Sequence, residues 1–222
     1  MPNAANRQLT AEKLAPVPDE LEPGKIVLVR HGETEWSRSG QHTSHTDLPL
    51  LDSGRRNAEA LAPMLARFTF SLVLSSPMQR ALDTCRLGGL GDRVEIDRDL
   101  MEWDYGDYEG ISTPEIRKTV PGWRVWTHPT PNAETAGQIG ARADRVIARC
   151  GPVIERGGDV ALFGHGHLSR VLAARWLGLP AADGRLLALH AGSLSVLGHE
   201  RETPVIELWN YTPHVFGPTE PV

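Results

Sequence analysis

Three short apolar runs, set apart by helix-like segments, constrain the fold of this chain more than any other feature. KIVLV occupies residues 25–29, SLVLSS residues 71–76 and DVALF residues 159–163. Near-continuous apolar runs of this length are typical of strands that helices cover on both faces. The alternation predicts an α/β fold, a three-layer sandwich in which helices flank a mostly parallel central sheet.

Weaker signals complete the expected order of elements. RVEI predicts a short strand, and SLSVLGHE and PVIELWN, on either side of Arg201, predict an antiparallel pair. Ser76 is expected to cap a helix with Pro77 in its first turn, and Gly151-Pro152 to stop or kink a later one. The expected helices cover residues 52–68, 77–87, a short stretch from 113, 134–150 and 168–178.

The domain organisation follows from where the patterned segments begin and end. Residues 1–23 are mostly polar and contain proline, and residues 212–222 contain proline and glycine, so both are expected to be mobile tails. Neither a signal-peptide run nor a membrane-spanning run is present in the sequence. Residues 24–211 are therefore predicted to form one domain.

Charge and cysteine content exclude several classes of protein. The chain has 23 Lys and Arg against 28 Asp and Glu, a net charge of −5, which argues against a nucleic-acid binder. Its two cysteines, Cys85 and Cys150, fall in separate helix-like segments and do not make a disulfide scaffold. We expect reduced thiols and a cytoplasmic protein with no membrane partner.

Each of the three apolar runs is followed by residues that suit an anion. RHG occupies residues 30–32, SSP occupies residues 75–77 with Arg80 close behind, and GHGH occupies residues 164–167. Open α/β sheets bind ligands beyond the carboxyl ends of their strands, where helix N-termini add N–H donors. The sequence therefore predicts that two arginines and two or three histidines converge on one anion.

Each of these residues also has a plainer interpretation. Arg80 could be a surface helix residue, the default for arginine. His165 and His167 could be capping residues or a metal pair, but a metal would need a third ligand at recognisable spacing, and the remaining histidines are scattered. The joint pattern is far less expected by chance than any part of it, and neither a metal nor a cofactor is predicted.

The resemblance to a known family becomes specific at four motifs. VRHGETEW, SSPMQRALDT, MEWDYGDYEG and GHGHLSRV resemble, in order, motifs of the histidine phosphatase superfamily, which has the phosphoglycerate mutase-like fold. The resemblance covers residues 25–210. Within it, SGQHTSHTDLPL and EWDYGDYEG are similar to the sedoheptulose bisphosphatase and acid phosphatase branch.

The resemblance implies a division of labour among five residues: His31 is the nucleophile, Arg30, Arg80 and His165 form the phosphate pocket, and Glu102 donates a proton. A histidine attacks phosphorus only through an unprotonated nitrogen, and two nearby guanidiniums disfavour the imidazolium. Forked arginine donors can carry the phosphoryl charge without a metal ion. Glu102 would protonate the leaving alkoxide and later serve as base for water. The other acids between residues 99 and 109 are expected to be solvated.

The same motifs imply contacts to the rest of the substrate. These come, by position, from Ser37, His42, Thr43, Tyr105 and His167. His42 departs from the branch, which often has tyrosine there. The predicted activity is metal-independent hydrolysis of phosphomonoesters through a phosphohistidine, acting on sugar phosphates or other small phosphorylated metabolites.

Two other functions stay open at this point. A mutase would need to keep its phosphoenzyme from water, and the mutase branch has arginine directly after the acid, where this chain has Trp103 and Asp104. A phospho-ligand binding module could have kept the pocket without catalysis. Trp123, Trp126 and His128 form a lid or simply pack, and packing is favoured for tryptophan. The oligomeric state is left open, with a homodimer as one option.

Overall fold

The computed structural model describes residues 22–213, so the predicted tails fall almost entirely outside the described residues. The strands are β1 (Ile26–Arg30), β2 (Phe70–Ser75), β3 (Val94–Ile96), β4 (Asp159–Gly164), β5 (Leu194–Glu200) and β6 (Thr203–Tyr211). The α-helices are α1 (Glu35–Ser39), α2 (Asp52–Leu65), α3 (Gln79–Leu87), α4 (Thr113–Thr119), α5 (Ala136–Ile154) and α6 (Gly166–Trp176). Short 3₁₀ turns lie at Gly91–Arg93, Arg98–Leu100, Gly106–Tyr108 and Ala181–Leu186. Within residues 22–213 no helix combines the length and the apolar character that crossing a bilayer requires.

One six-stranded sheet organises the chain, in the order β3-β2-β4-β1-β5-β6. The first four of these strands pair in parallel, β3 with β2, β2 with β4 and β4 with β1. β5 pairs antiparallel with both β1 and β6. The predicted α/β sheet, mostly parallel with an antiparallel pair, is confirmed. Because these strands are parallel, the carboxyl ends of β1, β2 and β4 lie at the same end of the sheet. The residues predicted to bind an anion were expected to meet there.

Two hydrophobic cores lie on opposite faces of the sheet and make it the middle layer. Successive residues of β1 alternate between them: Ile26 and Leu28 join one core, Val27 and Val29 the other. The first core contains buried residues of α5 and α6, and the second contains buried residues of α2 and α3. Because both faces are covered, the central strands are apolar throughout, which is what made them visible in the sequence.

The irregular segment between β3 and α5 packs its tryptophans rather than exposing them. Trp123 and Trp126 belong to the first core and are only 1% and 9% exposed. Packing, the favoured interpretation, is therefore confirmed for both. His128 lies nearby with its Nδ1 accepting a hydrogen bond from the backbone N–H of Arg124 at 3.1 Å.

Several predicted helix boundaries differ from the observed ones by two to four residues, and two of those predictions rested on particular residues. α3 begins at Gln79 rather than at Pro77. The Ser76 hydroxyl pairs with the His165 ring at 2.8 Å and accepts only a long bond, of 3.4 Å, from the Met78 N–H. α5 runs through Pro152 to Ile154 instead of stopping at Gly151. A proline in the last turn removes one backbone bond, and this turn still closes by the Glu155 N–H donating to the Gly151 carbonyl at 2.9 Å.

Both cysteines are buried and unpaired. Cys85 lies in α3 and Cys150 in α5, so the two thiols sit in different cores. Burial raises the pKa of each thiol to about 12. The prediction of two reduced cysteines within helices is confirmed.

Candidate active site

A cavity of about 160 Å³ opens beyond the carboxyl ends of β1 and β4. Of the residues predicted for the site, all but Arg80 and His165 line this cavity. They are Arg30, His31, Ser37, His42, Thr43, Glu102, Tyr105 and His167. Residues far apart in the sequence thus meet beyond the carboxyl ends of the parallel strands, as the sequence predicted.

His31 is held rigidly at the end of β1. Its backbone N–H donates to the Gly164 carbonyl at 3.0 Å, and its carbonyl accepts from the Gly192 N–H at 2.8 Å. The ring Nδ1 lies 2.7 Å from the Gly32 carbonyl oxygen. Because a carbonyl only accepts, Nδ1 carries the proton and Nε2 is left with a free lone pair. His31 is only 5% exposed, yet it lines the cavity.

The surroundings of His31 keep its ring uncharged. Burial lowers the pKa of His31 well below 6.5, and the charges of Arg80 and Arg30 lower it further, while the Gly32 carbonyl acts in the opposite direction. From the sequence, only the two guanidiniums were expected to disfavour the charged ring. The structure adds burial as the larger cause, because the site excludes water from the imidazolium.

Arg30, which also lines the cavity, keeps one hydrogen-bond donor unused. Its Nη1 donates to the Leu189 carbonyl at 2.6 Å. Its Nε is buried and has no hydrogen-bond partner among the described residues. The guanidinium packs on Gly166, where an added Cβ would lie 3.1 Å from the arginine Cζ. Since a buried unpaired donor is costly, a phosphate oxygen beside Arg30 would relieve that cost.

Arg80 and His165 lie behind His31 rather than in the cavity, and both are fully buried. Arg80 donates through Nη1 to the Thr46 carbonyl at 2.9 Å, through Nη2 to the Ser44 carbonyl at 3.0 Å, and through Nε to His165 Nδ1 at 3.3 Å. Because that Nδ1 accepts, His165 is protonated at Nε2.

His165 thus has both ring nitrogens engaged within the protein. Its Nε2–H donates to the Ser76 hydroxyl at 2.8 Å. Its ring centroid lies 5.2 Å from that of His31, in an edge-on arrangement. In this arrangement Arg80 and His165 act on His31 by charge and packing and do not reach into the cavity.

Glu102 sits against the N-terminus of α6. Its Oε1 accepts from the backbone N–H groups of Leu168 and Trp103, both at 2.9 Å, and its Oε2 accepts from the N–H of His167 at 3.0 Å. Helix N-termini stabilise negative charge, and so do these N–H donors. These three N–H groups therefore fix the position of the Glu102 carboxyl group.

One wall of the cavity is a cluster of uncharged rings. His42 packs against Tyr105 with ring centroids 4.5 Å apart, and Tyr105 Oη lies 2.6 Å from His167 Nδ1. Burial lowers the pKa of His42 to about 4 and that of His167 well below 6.5. Ser37 and Thr43 also line the cavity. This wall offers hydrogen bonds and ring faces to a substrate without adding charge.

Two residues at the site were missed from the sequence. Arg170 lines the cavity and stacks over Trp126, with Cζ 4.5 Å from the ring centroid. It follows His167 by three positions on α6, and this helical spacing could have identified it. Glu109 was expected to be solvated, but its carboxylate accepts from the N–H groups of Ser44 and Thr46 at 2.9 Å.

A second cavity, of about 430 Å³, adjoins the first and shares His42 and His167 with it. Its lining includes Arg117, Arg124 and Arg185 and no carboxylate. The adjoining space therefore carries positive charge. Within residues 22–213, no group of three or more His, Cys, Asp or Glu side chains could hold a metal ion.

Comparisons with known proteins agree with the geometry. A family model described as the histidine phosphatase superfamily, branch 1, matches residues 26–212. An acid phosphatase of Mycobacterium tuberculosis is 39% identical over 192 residues, covering 86% of this chain and 94% of the relative. Sedoheptulose 1,7-bisphosphatase of Saccharomyces cerevisiae is 39% identical over 188 residues, covering 70% and 68%. The solved structure of an open reading frame from Mycobacterium tuberculosis superimposes with a TM-score of 0.82 at 39% identity, covering 86% of this chain and 99% of that one.

Proposed function

Because the chain belongs to the histidine phosphatase superfamily, branch 1, and is a phosphatase of that family, we propose that it hydrolyses phosphomonoesters through a phosphohistidine at His31. One observation carries the proposal: a neutral His31, whose Nε2 has a free lone pair, lines the same cavity as Arg30, whose buried Nε has no partner among the described residues. A nucleophile and an oxyanion donor thus line the same cavity.

The chemistry proceeds in two balanced steps. In the first, His31 Nε2 forms a bond to phosphorus as the bond to the ester oxygen breaks, and Glu102 gives that oxygen a proton. In the second, water attacks the phosphohistidine, Glu102 takes a proton from the water, and inorganic phosphate leaves. Arg30 holds the phosphoryl oxygens throughout, with the positive charge of Arg80 behind, so the reaction needs no metal ion. The three N–H groups on Glu102 stabilise the carboxylate between the two steps.

We propose that the substrates are sugar phosphates or other small phosphorylated metabolites. The polar rings of His42, Tyr105 and His167 suit hydroxyl groups, and the adjoining arginine-lined cavity suits a second negative group on the same molecule. The names of two relatives, acid phosphatase and sedoheptulose 1,7-bisphosphatase, support the same class.

A mutase activity receives no such support. Trp103, which directly follows Glu102, is buried, and its indole N–H donates to the Glu134 carbonyl at 2.8 Å. No guanidinium therefore follows the acid to hold a substrate carboxylate.

We further propose residues 24–211 as the catalytic domain, and the family match over residues 26–212 supports this boundary. A cytoplasmic location and a homodimer stay predictions.

The test is a phosphate-release screen over phosphorylated metabolites, with His31→Ala as the blank. We expect release from at least one sugar phosphate, and a loss of about 10³-fold or more in the variant, because the covalent route is removed. Rapid quenching with ³²P-labelled substrate should label wild type and not the variant. Undiminished turnover in His31→Ala would contradict the proposal. Isomerisation of 3-phosphoglycerate without phosphate release would favour the mutase.

A further inference from the structure

Arg142, on α5, uses three of its five guanidinium N–H groups to bind carbonyls of the peptide segment that carries Glu102. Nη1 donates to the carbonyls of Asp99 at 2.7 Å and Met101 at 2.8 Å, and Nη2 donates to the carbonyl of Glu102 itself at 3.2 Å. The other two N–H groups, on Nε and Nη2, each donate to Glu134 at 2.7 Å. Five donors are the full complement of an arginine, so none is free for a ligand.

Glu134 fixes the guanidinium from the opposite side. The pair is bidentate, and the two side chains are only 15% and 12% exposed. The backbone of Glu134 is tied to the same segment, because its N–H donates to the Asp104 carbonyl at 3.1 Å and its carbonyl accepts from the Trp103 indole. Peptides on both sides of Glu102 are therefore attached to the start of α5.

Glu102 is thus held from two directions. Its carbonyl is bound by Arg142 on α5, and its carboxylate by the first turn of α6. We propose that Arg142, oriented by Glu134, is a positioning residue that sets the reach of the Glu102 carboxyl group toward the leaving oxygen. The inference rests on the proposed role of Glu102 and assigns Arg142 no contact with substrate.

Lysine cannot replace arginine in this role. Its ammonium has three donors on one atom, whereas Arg142 spans two carboxylate oxygens and three carbonyls with a planar fork. Losing that fork lets the segment shift. A displacement of about 1 Å at a catalytic group can cost on the order of 100-fold in rate. The loss should fall mainly on proton donation, because His31 and Arg30 lie on β1 and not on the segment that Arg142 holds.

The experiment separates proton donation from the rest of catalysis by changing the leaving group. Values of kcat/KM are measured for β-glycerol phosphate, whose alkoxide needs a proton, and for p-nitrophenyl phosphate, whose phenolate does not. The proteins are wild type, Glu102→Gln, Arg142→Lys and Glu134→Gln. Arg145→Gln is the matched control, since Arg145 also lies on α5 and pairs with Asp99 but is exposed and does not touch the Glu102 peptide.

We expect Glu102→Gln to lose about 100-fold or more on the alkyl ester and less than about 10-fold on the aryl ester. Arg142→Lys and Glu134→Gln should lower the alkyl-to-aryl ratio by about 10-fold, and Arg145→Gln should keep it within about twofold. Partial unfolding lowers both kcat/KM values equally, so the ratio reports on the folded molecules. An unchanged ratio in Arg142→Lys and Glu134→Gln, with Glu102→Gln affected, overturns the inference alone. An unchanged ratio in Glu102→Gln removes its basis in the proposed function.

Discussion

The reactivity of His31 depends on which ring nitrogen carries the proton and on whether the ring carries a second one. The Gly32 carbonyl determines which nitrogen carries the proton. Burial and the two guanidiniums keep a second proton off the ring. Arg80 is the more informative of the two arginines for a test, because it lowers the pKa of His31 from behind, without lining the cavity.

We therefore predict that Arg80→Met raises the pKa of His31. Removing one positive charge makes the imidazolium less unfavourable, while burial keeps the pKa below 6.5. An NMR titration of the His31 ring should show the ring neutral at pH 6 in wild type, and a displacement of its titration toward higher pH in the variant. Arg86→Met, on the same helix and exposed, is the control. A shift in the opposite direction would show that Arg80 does not act on His31 through its charge.

At the scale of elements, the backbone of the loop after β1 lies so close to the backbone at the start of α2 that there is no space for a Cβ between them. A Cβ on Gly54 would lie 2.3 Å from the Glu33 carbonyl oxygen, and a Cβ on Gly32 would lie 2.3 Å from the Gly54 carbonyl oxygen. Both clashes are with backbone, so neither is relieved by a side-chain rotation. The absence of side chains at these two positions is what allows α2 to support the His31 loop.

We predict that Gly54→Ala costs about 1–3 kcal/mol of stability and reduces turnover, because α2 must move away from the loop next to His31. Thermal unfolding and kcat/KM with p-nitrophenyl phosphate measure the two effects. Gly137→Ala is the matched control: this exposed helical glycine has open space around it, so alanine should stabilise α5 by up to about 1 kcal/mol. Equal melting temperatures for the two variants would contradict the clash.

Elements with a strong local pattern were predictable, and contacts made across the fold were not. β1, β2 and β4 followed from apolar runs, and the sheet edge that gathers the site followed from the polar residues at their ends. Nothing local in YGDYEG distinguishes Glu109, which fixes the loop whose carbonyls receive Arg80, from the acids around it. Likewise, the sequence near Arg142 shows only an amphipathic helix. Its partners lie up to 43 positions away, so only the folded chain brings them together.

At the scale of the whole molecule, the buried histidines of this site lower the stability of the folded protein at low pH. The folded chain keeps four of them neutral: burial lowers the pKa of His42 to about 4 and the pKa values of His31, His165 and His167 well below 6.5. In the unfolded chain the same rings titrate near 6.5. Above pH 6.5 neither state binds these protons. Below it only the unfolded state does, so stability falls as pH falls.

Between pH 7.5 and pH 5.5 we predict a loss of about 1.4 kcal/mol for each of these histidines. Urea unfolding at the two pH values measures the loss, in a range above the titration of ordinary carboxylates. His42→Asn should remove about one such increment. A free energy of unfolding that is independent of pH over this range would show that these rings accept protons equally in both states.

The burial of the two cysteine thiols affects the conditions under which this phosphatase can work. Cys85 and Cys150 are buried, and burial raises the pKa of each thiol to about 12, so almost no thiolate exists to meet an oxidant or an alkylating reagent. The proposed nucleophile is nitrogen, which hydrogen peroxide does not convert to a sulfenic acid. Phosphatases with a cysteine nucleophile are inactivated when that cysteine is oxidised, whereas this chain should keep hydrolysing phosphate esters in the presence of the same oxidant.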